Sequence, residues 1–331
     1  MSAMLSPVTF TTSRARHASR WRRHPHRHVA LVGLLAAMSV FAAACAPPST
    51  LPDGSVSQVG PIGANGIAFD GTDLWLCDLL GSQLLRIDAT TGHILERIGA
   101  DRGVNHPDDL VVARDGSLIY TSPPTGIVGR IVRFGPHAGD VSILARVPVG
   151  VNPIALTPDG AAVVVGYGSN EVGRVDRIDL STGTVTTIAS GLPDLNGFSF
   201  GPDGAIWAPV GGPLSALTGD GHIVRIAVDT GAVTPIPLSF PMEPGKRGLA
   251  FPVSVKWTPS GQMLALQSLG PAAVYDVDPQ SGTTKLLATT AADFADNLVT
   301  LPDGRTFVSN FVGGISVIDA SGGSAAFPLG R

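Results

Sequence analysis

One unit recurs six times along this chain, and that repetition restricts the possible folds more than any other feature. Its opening strand reads NGIAFDG from Asn65, DDLVVARDG from Asp108, NPIALTPDG from Asn152, NGFSFGPDG from Asn196, VSVKWTPSG from Val253 and DNLVTLPDG from Asp296. The steps between these anchors are 43, 44, 44, 57 and 43 residues. After each opening strand comes a turn ending in Gly or just before a polar residue, then a second apolar run such as DLWLCDL, AAVVVGYG or RTFVSNF. A third run ends in an Asp-rich turn with Gly, and a fourth follows. Short apolar strands separated by Gly, Pro and Asp turns, four to a unit of 40 to 45 residues, are the mark of propeller blades. The sequence therefore predicts an all-β chain folded as a six-bladed β-propeller, with four antiparallel strands per blade. A blade can cover its apolar faces only with its neighbours, so the ring must close. Either Ser55 to Pro61 or Ser324 to Leu329 could supply the outer strand that completes the last blade. The one long step marks an insertion between Phe240 and Pro252.

The 331 residues also divide by charge. Six arginines (Arg14, Arg16, Arg20, Arg22, Arg23 and Arg27) precede residue 45, and no acidic residue does. Sixteen Lys and Arg then face twenty-six Asp and Glu in the remainder. A surface that acidic repels phosphate backbones and argues against a nucleic-acid partner. The basic head is followed by an uncharged run from Val29 to Ala44, shorter than the roughly 20 residues a membrane span needs. Such a head, apolar middle and small-residue exit make an export signal. Ala42-Ala43-Ala44-Cys45 resembles a bacterial lipoprotein box, in which the Cys thiol takes a diacylglycerol, and the Pro/Ser segment behind it suits a flexible tether. Ordinary cleavage after Ala44 would instead leave Cys45 free. The expected organisation is an export signal over 1–44, a lipid-anchored tether over 45–54 and the propeller over 55–331. The protein is then an exported monomer, facing outside and touching the membrane only through its anchor. Lipidation would leave Cys77 as the one thiol, which excludes an intramolecular disulfide. Within the strand Leu74-Trp75-Leu76-Cys77-Asp78 it reads as a small buried hydrophobe.

In a propeller all the opening strands line the central channel and run the same way, so the residues heading them converge on one rim. That rim reads Asn65, Asp108, Asn152, Asn196, Val253 and Asp296. Loops between second and third strands open on the same face and bring Asp78, Ser122, Tyr167, Asn170, Ser309 and Asn310 towards it. The insertion would add Glu243, Lys246 and Arg247 from above. Close carboxylates repel one another unless a cation lies between them, and oxygen donors without thiolates suit a hard ion. Calcium held by Asn65, Asp108, Asn152, Asn196 and Asp296 is the expectation this raises, although Asn and Asp also head strands simply as turn caps. His106, two residues before Asp108, is the best general-base candidate among the four histidines after Cys45. Asp88, Asp179, Asp278 and Asp319 sit in third-strand turns whose spacing lacks the alternating donors of a calcium loop, so they read as turn caps. No nucleophile elbow, zinc motif or phosphate-cradling loop is present.

At these anchors the sequence resembles the six-bladed group that includes gluconolactonase, regucalcin and strictosidine-synthase-like proteins, and more loosely NHL-repeat propellers. The resemblance covers residues 64 to about 329. It implies a divalent cation at the channel mouth, held by a Glu heading the first blade, Asn residues heading the third and fourth, and an Asp heading the fifth. Asn152 and Asn196 agree with that pattern, whereas Asn65 stands for the Glu and Val253 for the Asp. Two functions follow. One is a surface module that binds a small ligand or a protein at the mouth. The other is a calcium-dependent lactonase or esterase, with Asp108 or His106 activating water.

The lipoprotein reading has a direct test in the expressing cell. Metabolic labelling with a fatty-acid analogue should mark the wild-type chain, and Cys45→Ser should lose the label. An unlabelled wild-type protein with a free N-terminus would overturn it.

Overall fold

The computed structural model describes residues 60–330 except 168–172, 193–194, 213 and 270–271, so Cys45, the export signal and the tether lie outside the described residues. Twenty-four strands form six sheets of four, each built from consecutive strands in the order 1-2-3-4 and paired antiparallel throughout. Blade 1 holds β1 (Ala64–Phe69), β2 (Asp73–Asp78), β3 (Gln83–Asp88) and β4 (Ile94–Ile98). Blade 2 holds β5 (Leu110–Val112), β6 (Leu118–Ser122), β7 (Ile127–Ile131) and β8 (Val141–Arg146). Blade 3 holds β9 (Val151–Leu156), β10 (Ala162–Tyr167), β11 (Gly173–Asp179) and β12 (Val185–Leu192). Blade 4 holds β13 (Ser199–Phe200), β14 (Ile206–Val210), β15 (His222–Ile226) and β16 (Val233–Ile236). Blade 5 holds β17 (Pro252–Trp257), β18 (Met263–Gln267), β19 (Ala273–Val277) and β20 (Thr284–Thr289). Blade 6 holds β21 (Ala295–Thr300), β22 (Thr306–Asn310), β23 (Gly314–Ile318) and β24 (Ser324–Ala326). A four-residue helix α1 (Ser215–Thr218) sits in the loop between β14 and β15. The six-bladed propeller is thus the fold, and the six anchors head the six innermost strands.

Second strands are buried along their whole length, as in β2 (DLWLCD), β10 (AVVVGY) and β22 (TFVSN). Both their faces meet a neighbouring blade, which is why these runs are apolar without alternation. The core is accordingly six separate clusters, each shared by two adjacent blades. Trp75, Leu84 and Ile98 of blade 1, for example, pack with Leu110, Leu118 and Ile131 of blade 2.

The last of these interfaces closes the ring. Ile67, Leu74, Leu85 and Ile87 of blade 1 pack against Leu301, Phe307, Ile315 and Phe327 of blade 6. Phe307 and Phe327 meet edge to face at 4.9 Å. Ser324–Ala326 is the outer strand of blade 6, so of the two candidate segments the C-terminal one completes it. The chain then runs on along blade 1. The Gly330 N–H donates to the Gly92 carbonyl at 2.9 Å, Ile94 N–H donates to the Gly330 carbonyl at 3.3 Å, and Arg305 donates to the Ala89 carbonyl at 2.7 Å.

The Asp-rich turns explain how blades fit so closely. Asp88 Oδ1 accepts from the Thr90 and Thr91 N–H groups at 2.9 and 2.7 Å, and Asp179, Asp278 and Asp319 do the same in their own turns. They are turn caps. The Gly closing each turn lies against a carbonyl of the preceding blade, and at Gly92 that carbonyl belongs to Pro328.

Gly92 and Gly204 both have φ of +73°, but only Gly92 has a neighbour: a Cβ there would come within 1.6 Å of the Pro328 oxygen. Gly204→Ala should cost about 1–2 kcal/mol for its left-handed backbone. Gly92→Ala should cost clearly more in urea unfolding, because it also pushes blade 6 off blade 1. Equal costs would show that the closure is not sensitive at this contact.

Candidate functional site

Inner strands of blades 2, 3, 5 and 6 arrive at the channel through a sharp bend two residues before the anchor. That position has positive φ in His106 (45°), Gly150 (86°), Phe251 (55°) and Phe294 (62°). At the same position the carbonyls of Gly63, Phe251 and Phe294 accept from the N–H that follows the second strand, in Leu79, Ser268 and Phe311, at 2.9, 3.0 and 2.8 Å. Blade 2 has Pro123 at that place, with no N–H to give, and His106 N–H instead donates to Ser82 Oγ at 2.9 Å. The left-handed backbone of His106 is thus a recurrent part of the blade and shared with two phenylalanines. Its ring Nδ1 lies 3.4 Å from the same Ser82 hydroxyl.

Beyond the bend the strand head bulges. The register with the second strand slips between Ala64 and Ile67, Val151 and Ile154, Pro252 and Ser254, and Ala295 and Leu298. In blades 1, 3 and 6 the bulge covers the anchor and the residue after it, in blade 5 Val253 alone, and bulges re-aim side chains. The anchors hold equivalent positions in the blades, but their side chains differ: Val253 packs into the core between blades 5 and 6, Asn65 and Asp108 are buried, and Asn152, Asn196 and Asp296 are half-buried.

The residues just after the anchors do something the sequence reading missed. Asn297 reaches from blade 6 over blade 1 and donates through Nδ2 to Asp109 Oδ1 of blade 2 at 3.0 Å. Ser254 of blade 5 donates to Asn297 Oδ1 at 2.9 Å, and Ile154 N–H of blade 3 donates to Asp109 Oδ2 at 3.2 Å. Backbone bonds continue the belt, with Gly66 N–H donating to the Asp108 carbonyl and Val255 N–H to the Gly197 carbonyl, both at 2.7 Å. A side chain at Gly66 would meet the Cα of Asp109 at 2.5 Å, so that glycine is what lets blades 6 and 2 join across blade 1. The signal in the sequence was the second letter of each anchor pair: NG, DD, NP, NG, VS, DN.

Three carboxyls therefore share a small volume near the axis. Burial, with Asp296 and Asp109 beside it, pushes the Asp108 carboxyl well above its usual range. Burial and the nearby Asp109 raise Asp296 to about 8 against the pull of Lys256. Burial raises Asp109 too, while Lys256 and the N–H groups of Ile154 and Leu110 oppose the rise. Lys256, on β17, was also missed by the sequence reading, and its Nζ donates to the Phe198 carbonyl at 3.2 Å. Asp108 Oδ1 is buried and has no hydrogen-bond partner. Buried polar atoms almost always find one.

Other candidates are engaged elsewhere. Asp78 Oδ1 accepts from the N–H groups of Ile62, Gly63 and Gly81, and Oδ2 from Gln83, so this carboxylate organises the loop and the start of β1. Tyr167 is buried between blades 2 and 3, where its hydroxyl donates to Asp176 at 2.7 Å. Asn310 donates to the Ala292 carbonyl and accepts from Ser316. Ser122 donates to the Asn105 carbonyl, and Ser309 to that of Asn297. Asn170 lies outside the described residues. The insertion is pinned by paired bonds between Gly221 and Leu249 and by Phe251 N–H donating to Ser215 Oγ of α1. Within it Lys246 is held by Glu243, by the Tyr275 hydroxyl and over the rings of Phe240 and Tyr275, leaving Arg247 as its exposed charge. Burial and the surrounding carboxylates push the Cys77 thiol well up, which fits an unreactive core residue.

A calcium ion needs six to eight oxygens. Among the described residues no three His, Cys, Asp or Glu side chains come together in a way that could hold a metal ion. Asp109 is spent on the belt and Lys256 brings a positive charge alongside, and both oppose a cation at Asp108 and Asp296.

No protein-family model matches this chain, and no curated protein is significantly similar to it. Solved structures do share its fold. Virginiamycin B lyase from Staphylococcus aureus is 16% identical over 82% of this chain and 86% of its own, with a TM-score of 0.57. A putative gluconolactonase is 16% identical over 82% and 91%, with a TM-score of 0.58. A chain of a nidogen/laminin complex is 13% identical over 75% and 90%, also at 0.58. The protein is thus a β-propeller of gluconolactonase-like fold, and at these identities the likeness extends to the fold alone.

The raised Asp296 gives a pH prediction. A carboxyl with a folded pKa near 8 and an unfolded one near 4 binds more protons when folded, so the wild type should lose stability as pH rises from about 4 to about 8. Asp296→Asn removes that loss. Because the group is half-buried, the variant should be more stable than wild type at pH 9 by on the order of 1–3 kcal/mol, and the advantage should shrink towards pH 4. Parallel pH–stability curves would refute the shifted titration.

Proposed function

We propose that this is an exported surface module that binds a small, uncharged, hydroxyl-rich ligand, a sugar or polyol, at the channel mouth. The observation that carries it is the buried, unpartnered Oδ1 of Asp108. A fold that satisfies so many polar atoms around its axis leaves this one without a partner, and a ligand hydroxyl would supply it once a side chain at the mouth moves aside. Burial raises the Asp108 carboxyl and takes that of Asp296 to about 8, which favours the protonated form, an O–H donor beside a carbonyl acceptor. The amides of Asn65, Asn152 and Asn196 offer the same pairing from the other blades. Such a mouth matches hydroxyl groups better than it matches an ion of either sign. The basic head, apolar run and Cys45 of the sequence support the part of this reading that puts the protein outside the cell.

The test is a thermal-shift and calorimetric screen of neutral monosaccharides and polyols, with calcium chloride as a separate arm. At least one neutral compound should raise Tm saturably at pH 6.5, with a smaller effect above pH 8 as Asp296 ionises. Asp108→Asn, which keeps a donor and an acceptor, should retain binding, whereas Asp108→Leu should abolish it. A saturable calcium effect present in wild type and lost in Asp108→Asn would replace this reading by the metal site, and calcium-dependent lactone hydrolysis would then make it an enzyme. No response to any neutral compound would overturn the mouth as a sugar site.

A further inference from the structure

The face away from the mouth carries a cavity of about 610 Å³ between blades 1 and 2, within the size range of small-ligand sites. Its walls come from the β1–β2 and β5–β6 turns, the middle of β3 and β4, and the segment after β7. Four arginines line it, Arg86, Arg102, Arg114 and Arg133, against two acids, Asp70 and Glu96. A quarter of the sixteen basic residues that follow Cys45 thus face one concavity of an acidic protein.

Not all of that charge is available. Arg133 is ion-paired to Asp70 at 2.6 Å and stacked between the rings of Trp75 and Phe134 at 4.8 and 5.0 Å. Asp70 is saturated, since Thr72 N–H, Asp73 N–H and Trp75 Nε1 also donate to it. Arg86 forks onto the buried Asp73. These pairs form a rigid, locally neutral back wall. Arg102 and Arg114 are different. Arg102 meets the half-exposed Glu96 at 3.3 Å, a surface pair of the kind worth little and readily exchanged, and also donates to the Gly139 carbonyl at 3.1 Å. Arg114 is exposed and donates to the Pro158 carbonyl at 2.6 Å, with no carboxylate in hydrogen-bond contact. At the lip Phe134 is 62% exposed, a large aromatic ring presented to solvent beside the guanidiniums.

We propose that this cavity binds a small organic anion in which a carboxylate or phosphate is carried on a flat ring. Arg114 and Arg102 take the anionic group by charge-assisted hydrogen bonds, the strong class of such bonds. Phe134, exposed at the lip, takes the ring. The fixed Arg133–Asp70 pair behind them adds no free charge but keeps the aromatic wall in place. The site is independent of the channel mouth, since it lies at the opposite ends of the inner strands and shares no residue with it.

Isothermal calorimetry of the full chain with phenyl phosphate, benzoate, inorganic phosphate and phenol decides the matter. Phenyl phosphate or benzoate should bind saturably, and which of the two binds tighter identifies the anionic group. Inorganic phosphate should bind more weakly than phenyl phosphate, and phenol should not bind. Arg114→Gln and Arg102→Gln should each weaken the better ligand about tenfold or more, and Phe134→Ala should weaken it while inorganic phosphate is unaffected. Arg114 and Phe134 are exposed and Arg102 is partly so, so each variant should still unfold in one cooperative transition without ligand, which confirms intact folding. Added salt should weaken binding, and Asp108→Asn should leave it unchanged, which separates this site from the mouth. Absence of saturable binding of both ring anions at millimolar concentration, or wild-type affinity in both arginine variants, would overturn the proposal.

Discussion

Burial of apolar surface between neighbouring blades is the interaction on which the rest of this structure depends. No sheet here has a core of its own, because its fully buried second strand is covered on one side by the blade before and on the other by the blade after. Interfaces of this kind can all be satisfied only in a closed ring, and the final interface must join the two ends of the described chain. It does so with side chains of blades 1 and 6 and a short run of backbone bonds at Gly330, without exchange of a strand. Closure is therefore as strong as that single packed interface. The glycine at each Asp-rich turn belongs to the same constraint, since blades this close leave no room for a Cβ against the preceding blade's carbonyl.

Closure has a second consequence, felt at the axis. Six inner strands brought together leave their polar heads crowded in a narrow space, where unpaired groups would be costly. The bulges divide the work between adjacent residues. In blades 2, 5 and 6 the second residue of the pair joins the belt through the side chains of Asp109, Ser254 and Asn297. In blades 2 and 6 the first residue is left at the mouth. Crowding also sets the electrostatics, because Asp108, Asp109 and Asp296 share one desolvated volume with Lys256 as the opposing charge. Raised carboxyl pKa values follow from this packing, and they favour the neutral form of these groups.

Much of the fold was legible because propeller constraints repeat. NPIALTPDG and NGFSFGPDG carry the same turn in the same place, and a repeat of 43 or 44 residues survives even with one insertion. Asp179 or Asp278 could be read as a turn cap from neighbours in sequence, since its partners lie two and three residues on. The candidate site was legible only in outline. Asp78 and Tyr167 end second strands near the mouth, yet one is consumed by N–H groups of its own blade and the other by Asp176 between two blades. Their partners depend on side-chain direction at a strand end, which no spacing encodes. His106 looked exceptional as a lone histidine near an acid. In the structure its bend is one of a set with Phe251 and Phe294.

The sequence by itself determined the blade count, the strand order within each blade and the face on which the anchors gather. These are consequences of local turn chemistry and of a period that any stretch of the chain reveals. Only the tertiary structure decided that Asn297 would span blade 1 to reach Asp109, that Lys256 would stand beside two carboxyls, and that Asp108 would keep an oxygen without a partner. It also decided that arginines from β3, from the loop after β4 and from two parts of blade 2 would line one cavity. Such groupings arise where different blades meet. Hydrogen bonding and desolvation act over a few ångströms of space, whatever the separation along the chain.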